Sequence, residues 1–307
     1  MKYENLEGLR LSNRYAVGRL LGYGGMGSVY LVHDEAKHRQ VALKVLHDKH
    51  RDHDWIVARF AREVEVLRTL HHPNVVDLYD AGKDGRRLFY TMEYIRGCNL
   101  REWMFRHSPM EFGSAVHVIY LASRGLHYVH QRYIHRDIAP ENLMLRKDGV
   151  VKVIDFGLAR KNQCNEGLTL IGTNLGRNEY NSPEQKRNAA VADFRADIYP
   201  LGVMLYEMLT GELPPEGVPP EVLGKNLPRG CDEFLAKTLA ADPFERYANA
   251  KAAGAALLEI YQRAHRRDKA QRFAMDEGET RPSRWEAVVA FFRGMVQRLS
   301  RNLFKRG

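Results

Sequence analysis

The sequence predicts an α+β protein of two lobes: a small antiparallel β-sheet lobe with one main helix, then a larger, mainly helical lobe. Three observations predict it. The 307 residues exceed what one compact core of about 100–200 residues needs. The first 95 residues are mostly short β-branched runs broken by Gly or polar turns, with one helical stretch. After a pivot near "EYIRGCNL" the apolar residues recur at helical spacing.

In chain order, residues 1–13 read as an N-terminal extension, and residues 14–95 as the small lobe. In that lobe "RYAVGRLLG", "GSVYLVHD" and "QVALKVLHD" read as strands. "DWIVARFAREVEVLRTL" places Ile56, Phe60, Val64 and Leu67 on one helical face, and "VVDLYDAG" and "RLFYTMEYI" return to strand character. That makes five strands around one helix. Residues 96–262 form the large lobe, with helices over "SAVHVIYLASRGLHYVHQR", "ADIYPLGVMLYEMLTG", "CDEFLAKTLAADP" and "NAKAAGAALLEIYQRAHRR". Residues 263–283 read as a helix end and a polar linker containing "DEGETRPS", and 284–307 as a basic amphipathic helix.

Composition excludes several classes. With 44% hydrophobic and 28% charged residues the chain is globular rather than disordered. The N-terminus holds no apolar core of signal-peptide length, and no run of about 18 apolar residues occurs, so a cytoplasmic protein is expected. Cys98, Cys164 and Cys231 form no C-x-x-C pair, which disfavours a disulfide framework or zinc knuckle. Of the net charge of +9, the tail from Leu257 to Gly307 carries +6, from 12 Lys/Arg against 6 Asp/Glu. No nucleic-acid surface is therefore expected on the body of the protein.

The residues that carry chemistry come in an ordered series. "LLGYGGMGSVYLV" contains Gly22, Gly24 and Gly27 as G-x-G-x-x-G. A strand rather than a helix follows it, so it reads as a hairpin lid whose backbone N–H groups approach phosphate oxygens. "VALKVL" then places Lys44 in a strand, and Glu63 lies on the following helix. "YIHRDIAPENLML" has the form H-R-D-x-x-x-x-N with Asp137 and Asn142, and "VIDFGLA" opens D-F-G at Asp155. "SPE" occupies 182–184.

Over residues 14–262 this series resembles the protein kinase family, and "GGMGSVY" and "NSPEQ" are most similar to its bacterial, eukaryotic-like serine/threonine members. The resemblance implies the bilobal protein-kinase fold and Mg-ATP-dependent transfer of a γ-phosphate to protein Ser/Thr hydroxyls. Asp137 is then the base, Lys44 holds phosphates and pairs with Glu63, and Asn142 and Asp155 hold Mg2+. Leu21, Gly22, Tyr23, Gly24, Gly25, Met26, Gly27, Ser28 and Val29 would form the lid over ATP. Val29, Ala42 and Met144 would line the adenine pocket, with Met92 behind it and backbone groups of Glu93 to Ile95 on the adenine edge. Asp197 would brace the catalytic loop, and Arg246 would pair with Glu184.

Three departures from the family pattern stand out. Ala139 replaces the usual catalytic-loop lysine, and Glu141 stands where tyrosine kinases carry a compensating arginine. One such preorganised donor is worth about 10²–10³ in rate, so a weakened or rewired enzyme is expected. The alternative reading is a pseudokinase or nucleotide-binding scaffold. "GTNLGRNEYNSPEQ" is about four residues longer than usual between Thr173 and Tyr180, and Arg177 within it is a candidate replacement cation. The stretch from Gly211 to Asp242 is short.

Arg136 beside the base implies activation-loop phosphorylation, with Thr169 the best site. His47, His50 and His53 show H-x-x-H-x-x-H, but in a connection that reads as a solvated loop rather than a metal site. In the tail, Trp285, Val288, Val289, Phe292, Val296, Leu299 and Leu303 share one helical face, with six basic residues from Arg284 onward against Glu286 alone. The expected partners are protein substrates, and for the tail an anionic membrane surface or a partner protein.

Overall fold

The computed structural model describes residues 5–161, 179–188, 192–215, 218 and 227–272. The small lobe is one antiparallel sheet of six strands, ordered β1-β2-β3-β4-β6-β5. The strands are β1 (Arg10–Leu11), β2 (Tyr15–Tyr23), β3 (Gly27–Asp34), β4 (Arg39–Leu46), β5 (Leu78–Asp84) and β6 (Arg87–Glu93). Five were expected. The sixth, β1, comes from the stretch read as an extension, and Leu6 and Leu11 there are each 1% exposed in the sheet's core. The boundary at residue 14 therefore falls inside the sheet. Leu6, Leu9 and Leu11 in a short polar run are too few to show a period, so this strand left no readable pattern.

Alternation along β4 decides the layout of the small lobe. Val41, Leu43 and Val45 point into a core with Leu6, Leu11, Tyr15, Val17, Tyr30, Val32 and Phe89. Successive strand residues point to opposite faces, so Ala42 and Lys44 face the other way, toward the cleft between the lobes. α1 (Asp54–Arg68) buries Ile56, Phe60, Glu63, Val64 and Leu67 on the face its periodicity predicts.

The large lobe is built on α2 (Leu100–His107), α3 (Phe112–Val129), α4 (Pro183–Asn188), α5 (Tyr199–Thr210), α6 (Cys231–Thr238) and α7 (Ala250–Arg272). α3 packs against α5 and α7, and its Ala115, Ile119, Ala122, Leu126 and Val129 are fully buried. α5 stops at Gly211, whose φ of +83° is a left-handed cap that a Cβ would strain. Two small ribbons complete the lobe. β9 (Leu143–Arg146) lies between β7 (Gly97–Asn99) and β10 (Val151–Val153), and β8 (Tyr133–Ile134) pairs with β11 (Arg160–Lys161). The main hydrophobic core is continuous from Phe60, Leu67 and Tyr90 of the small lobe through Phe156 to Leu205 and Leu257. It forms the floor beneath the cleft.

Candidate active site

On the small-lobe side, the β3–β4 register sets Val29 opposite Lys44, and the β4–β6 register sets Ala42 opposite Met92. Lys44 reaches from the sheet to α1, where its Nζ donates to both carboxylate oxygens of Glu63 at 2.8 Å. The Glu63 side chain is 0% exposed and also accepts from the Tyr90 hydroxyl at 2.7 Å. Burial pulls the Lys44 pKa down, but Asp155, 4.0 Å from its Nζ, together with Glu63 more than reverses this and holds it above the ordinary value. The ammonium therefore stays charged at the mouth of the cleft.

The glycine-rich turn joins β2 to β3. Gly24 N–H donates to Gly27 O at 2.9 Å, closing it. A Cβ on Gly27 would lie 2.4 Å from the Val45 carbonyl, so the close approach of β3 to β4 requires glycine there. Gly22, Tyr23, Gly24 and Gly25 are exposed along the turn, with Leu21 and Met26 half-buried. The Ser28 side chain is buried and bonded to His47 Nε2 at 2.9 Å, so only its backbone remains for the lid.

On the large-lobe side, the β9–β10 hairpin pairs Leu143 with Val153. Its open end therefore carries Asn142 and, two residues past Val153, Asp155. Ile154 N–H donates to Asn142 O at 2.9 Å, and His135 Nε2 lies 3.1 Å from Ile154 O, locking the two loops together. Asn142 Nδ2 donates to Asp137 O at 2.6 Å and to Asp137 Oδ2 at 3.0 Å, orienting the candidate base. Asp155 Oδ1 accepts from Gly157 N–H at 3.3 Å, and Gly157 O accepts from Arg59 Nε of α1 at 3.0 Å.

Beneath this lies Asp197, 1% exposed. It accepts from His135 N–H at 2.8 Å, Arg136 N–H at 2.7 Å and His130 Nε2 at 2.9 Å. Burial works against its charge, but the His130 hydrogen bond and the neighbouring donors outweigh it and lower its pKa. This brace coincides with strained backbone: Arg136 and Asp155 have φ of +67° and +62°, rare for residues with a Cβ.

Contacts thus join Lys44 to Glu63 and Asp155, and Asn142 to Asp137 and to the loop that carries Asp155. Ala139, which supplies no cation, is 1% exposed and buried among core residues. His47 and His50 serve the glycine-rich turn. His47 N–H donates to Met26 O at 3.0 Å, His50 Nε2 lies 2.9 Å from Gly25 O, and the Tyr23 ring stacks on His47. Arg101, unremarked in the sequence, binds Glu141 Oε1 at 2.9 Å. The expected Arg246–Glu184 pair is present as two bonds of 2.7 and 2.8 Å. Thr169, Thr173, Arg177 and the 284–307 tail lie outside the described residues.

A charged lysine across a cleft from hard oxygen donors, roofed by a glycine-rich turn, is what phosphoryl transfer from a nucleotide requires. The chain belongs to the protein kinase family: the family model of the protein kinase domain matches residues 15–277. It is 37% identical over 273 residues to the serine/threonine-protein kinase PknB of Mycobacterium tuberculosis, covering 82% of this chain and 43% of that protein. It is 34% identical over 264 residues to the serine/threonine-protein kinase PrkC of Bacillus subtilis, covering 80% of this chain and 40% of PrkC. The chain thus spans about two-fifths of the length of these curated relatives. The crystal structure of the Mycobacterium tuberculosis PknI kinase domain superposes with a TM-score of 0.66 at 29% identity, covering 83% of this chain and 98% of that one. Among the described residues no helix is long and apolar enough to cross a membrane.

Proposed function

We propose that the chain is a Mg-ATP-dependent serine/threonine protein kinase acting on protein substrates, and that the Lys44–Glu63 pair facing Asp155 is the observation that carries this reading. A lysine held by two 2.8 Å bonds is already in the position a nucleotide phosphate needs, so no reorganisation is required on binding. In this reading ATP lies under the glycine-rich turn. Val29, Ala42 and Met144 lie against its base, Met92 lies behind, and Glu93 to Ile95 bind the base edge. Lys44 holds the phosphates. Asp137, oriented by Asn142, accepts the proton of the acceptor hydroxyl.

Asn142 and Asp155 are the residues that would hold Mg2+. Asn142 uses its amide nitrogen on Asp137, which leaves its side-chain oxygen as the atom that would serve a metal together with the Asp155 carboxylate. A magnesium ion takes few protein ligands and completes its shell with phosphate and water, so this small oxygen set fits. When bound it would neutralise charge on the transferring phosphoryl group.

Control by activation-loop autophosphorylation accords with Arg136. Burial together with Arg160 and Arg62 lowers its pKa to about 10, and its Nε and one terminal nitrogen have no hydrogen-bond partner among the described residues. A phosphate on the neighbouring segment, with Thr169 the candidate, would supply one. A cytoplasmic location, with the 284–307 tail contacting an anionic membrane surface or a protein, completes the reading. The test is incubation of wild type and Asp137→Asn with radiolabelled ATP, Mg2+ and a generic protein acceptor. Incorporation is expected in the wild type only, and equal incorporation in both ends the enzymatic claim.

A further inference from the structure

One arginine of α2 is bonded to three other parts of the large lobe at once. Arg101 Nε donates to Glu141 Oε1 at 2.9 Å, in the turn between Asp137 and Asn142. A terminal nitrogen donates to Glu207 Oε1 of α5 at 2.5 Å, and the other donates to the Tyr180 hydroxyl. The Tyr180 hydroxyl in turn donates to the second Glu207 oxygen. Tyr180 stands two residues before Ser182, at the start of the segment leading into α4. That segment meets the catalytic loop a second time, where Gln185 Nε2 donates to Arg136 O at 3.0 Å.

Arg101 is the cation shared by the two carboxylates of this cluster. Glu141 and Glu207 bring two carboxylates, and burial together with the Glu207 bond pushes the Tyr180 phenol upward, so it stays neutral. One guanidinium answers both carboxylates, and its fork matches them with separate N–H groups. Arg101 and Glu141 are 36% and 35% exposed, whereas Glu207 is 9% exposed. The outer part of the cluster is thus open to a bound peptide, and the inner part is not.

We propose that Arg101 is a positioning and specificity-determining residue on the acceptor side of the site. It holds Tyr180 and its segment to the catalytic loop, and it occupies the exposed Glu141 carboxylate that would otherwise attract a basic side chain of the acceptor peptide. The proposal rests on the protein-kinase reading above. It links the segment before Ser182 to the loop that carries Asp137 through one side chain.

The experiment uses the full chain and two acceptor peptides, identical except that the residue flanking the target serine is alanine in one and arginine in the other. Arg101→Ala is expected to lower kcat on the alanine peptide by about tenfold, the effect of losing one charge-assisted contact. The KM for ATP stays within about twofold, because the lysine side of the cleft is untouched. The ratio of kcat/KM for the arginine peptide over the alanine peptide rises by about tenfold, since the exposed Glu141 carboxylate is now unanswered beside the acceptor. Arg101→Lys restores the wild-type ratio and part of kcat. Should Arg101→Ala fail to fold, Arg101→Gln, which keeps two N–H donors but no charge, carries the same criterion. An active wild type whose Arg101→Ala or Arg101→Gln form shows unchanged kcat and an unchanged peptide ratio overturns this proposal alone. A wild type that binds ATP but phosphorylates neither peptide nor any protein overturns the kinase reading and the proposal with it.

Discussion

Replacing Arg246 by Met strips a buried carboxylate of the cation paired with it while nearly conserving side-chain volume. The Arg246 side chain is 0% exposed and its partner Glu184 10%, and the two share bonds of 2.7 and 2.8 Å. Arg246 also donates to the backbone carbonyls of Ala240 at 2.9 Å and Arg195 at 3.0 Å, so its loss leaves two further acceptors unserved. Removing one partner of a buried pair costs about 3–5 kcal/mol, because the remaining charge is left desolvated. Against a total stability of roughly 5–15 kcal/mol that is a large fraction. At about 2–4 °C per kcal/mol for a domain of this size, Tm should fall by roughly 6–20 °C. Differential scanning calorimetry of Arg246→Met, Glu184→Gln and the double variant reads it. The double variant should lose clearly less than the sum of the singles, because removing both partners leaves no orphaned charge. A fall of under about 3 °C, or strictly additive losses, would refute the reasoning that this pair is coupled in a dry environment.

Two further outcomes follow from the geometry. The Asp197 pKa is lowered from its ordinary 3.8, so the native state binds fewer protons there than the unfolded state does. Its stabilisation is complete above that ordinary value and is lost as pH falls through the lower native one, so Asp197→Asn should flatten the acid end of the stability curve in urea titrations. An unchanged acid slope would show that the brace is not charge-based. His50→Ala removes the contact to Gly25 O at 2.9 Å, and the KM for ATP should rise a few-fold with kcat retained. An identical KM would detach His50 from the lid.

Much of this molecule is readable from its residues because the chemistry needs particular atoms at local spacings. Asp137 and Asn142 lie five apart in one loop, and Asp155 follows a short strand, so the ladder pairing Leu143 with Val153 is nearly implied by sequence. Lys44 and Ala42 share a strand face by simple alternation. The α1 face was equally legible, since Ile56, Phe60, Val64 and Leu67 recur at helical spacing and are all buried. Less was legible at the N-terminus, where Leu6 and Leu11 give no period although both are 1% exposed.

By itself, then, the sequence determined the family, the two-lobed α+β architecture and the residue types at the candidate site, because those depend on residue type and near-neighbour order. Tertiary structure alone decided which distant side chains meet. His47 and His50 read as part of a solvated connection, yet the fold sets them against the glycine-rich turn. Arg101 carries no motif, and only the packing of α2 beside the catalytic loop brings it to Glu141, 40 positions along the chain, and to Glu207, 106 positions along. Ala139 reads as a missing cation, which stands, and only the fold shows that it is buried among core residues. The physical reason is common to all three. Charge pairing and burial are set by distances of a few ångströms through space, and separation along the chain does not encode them.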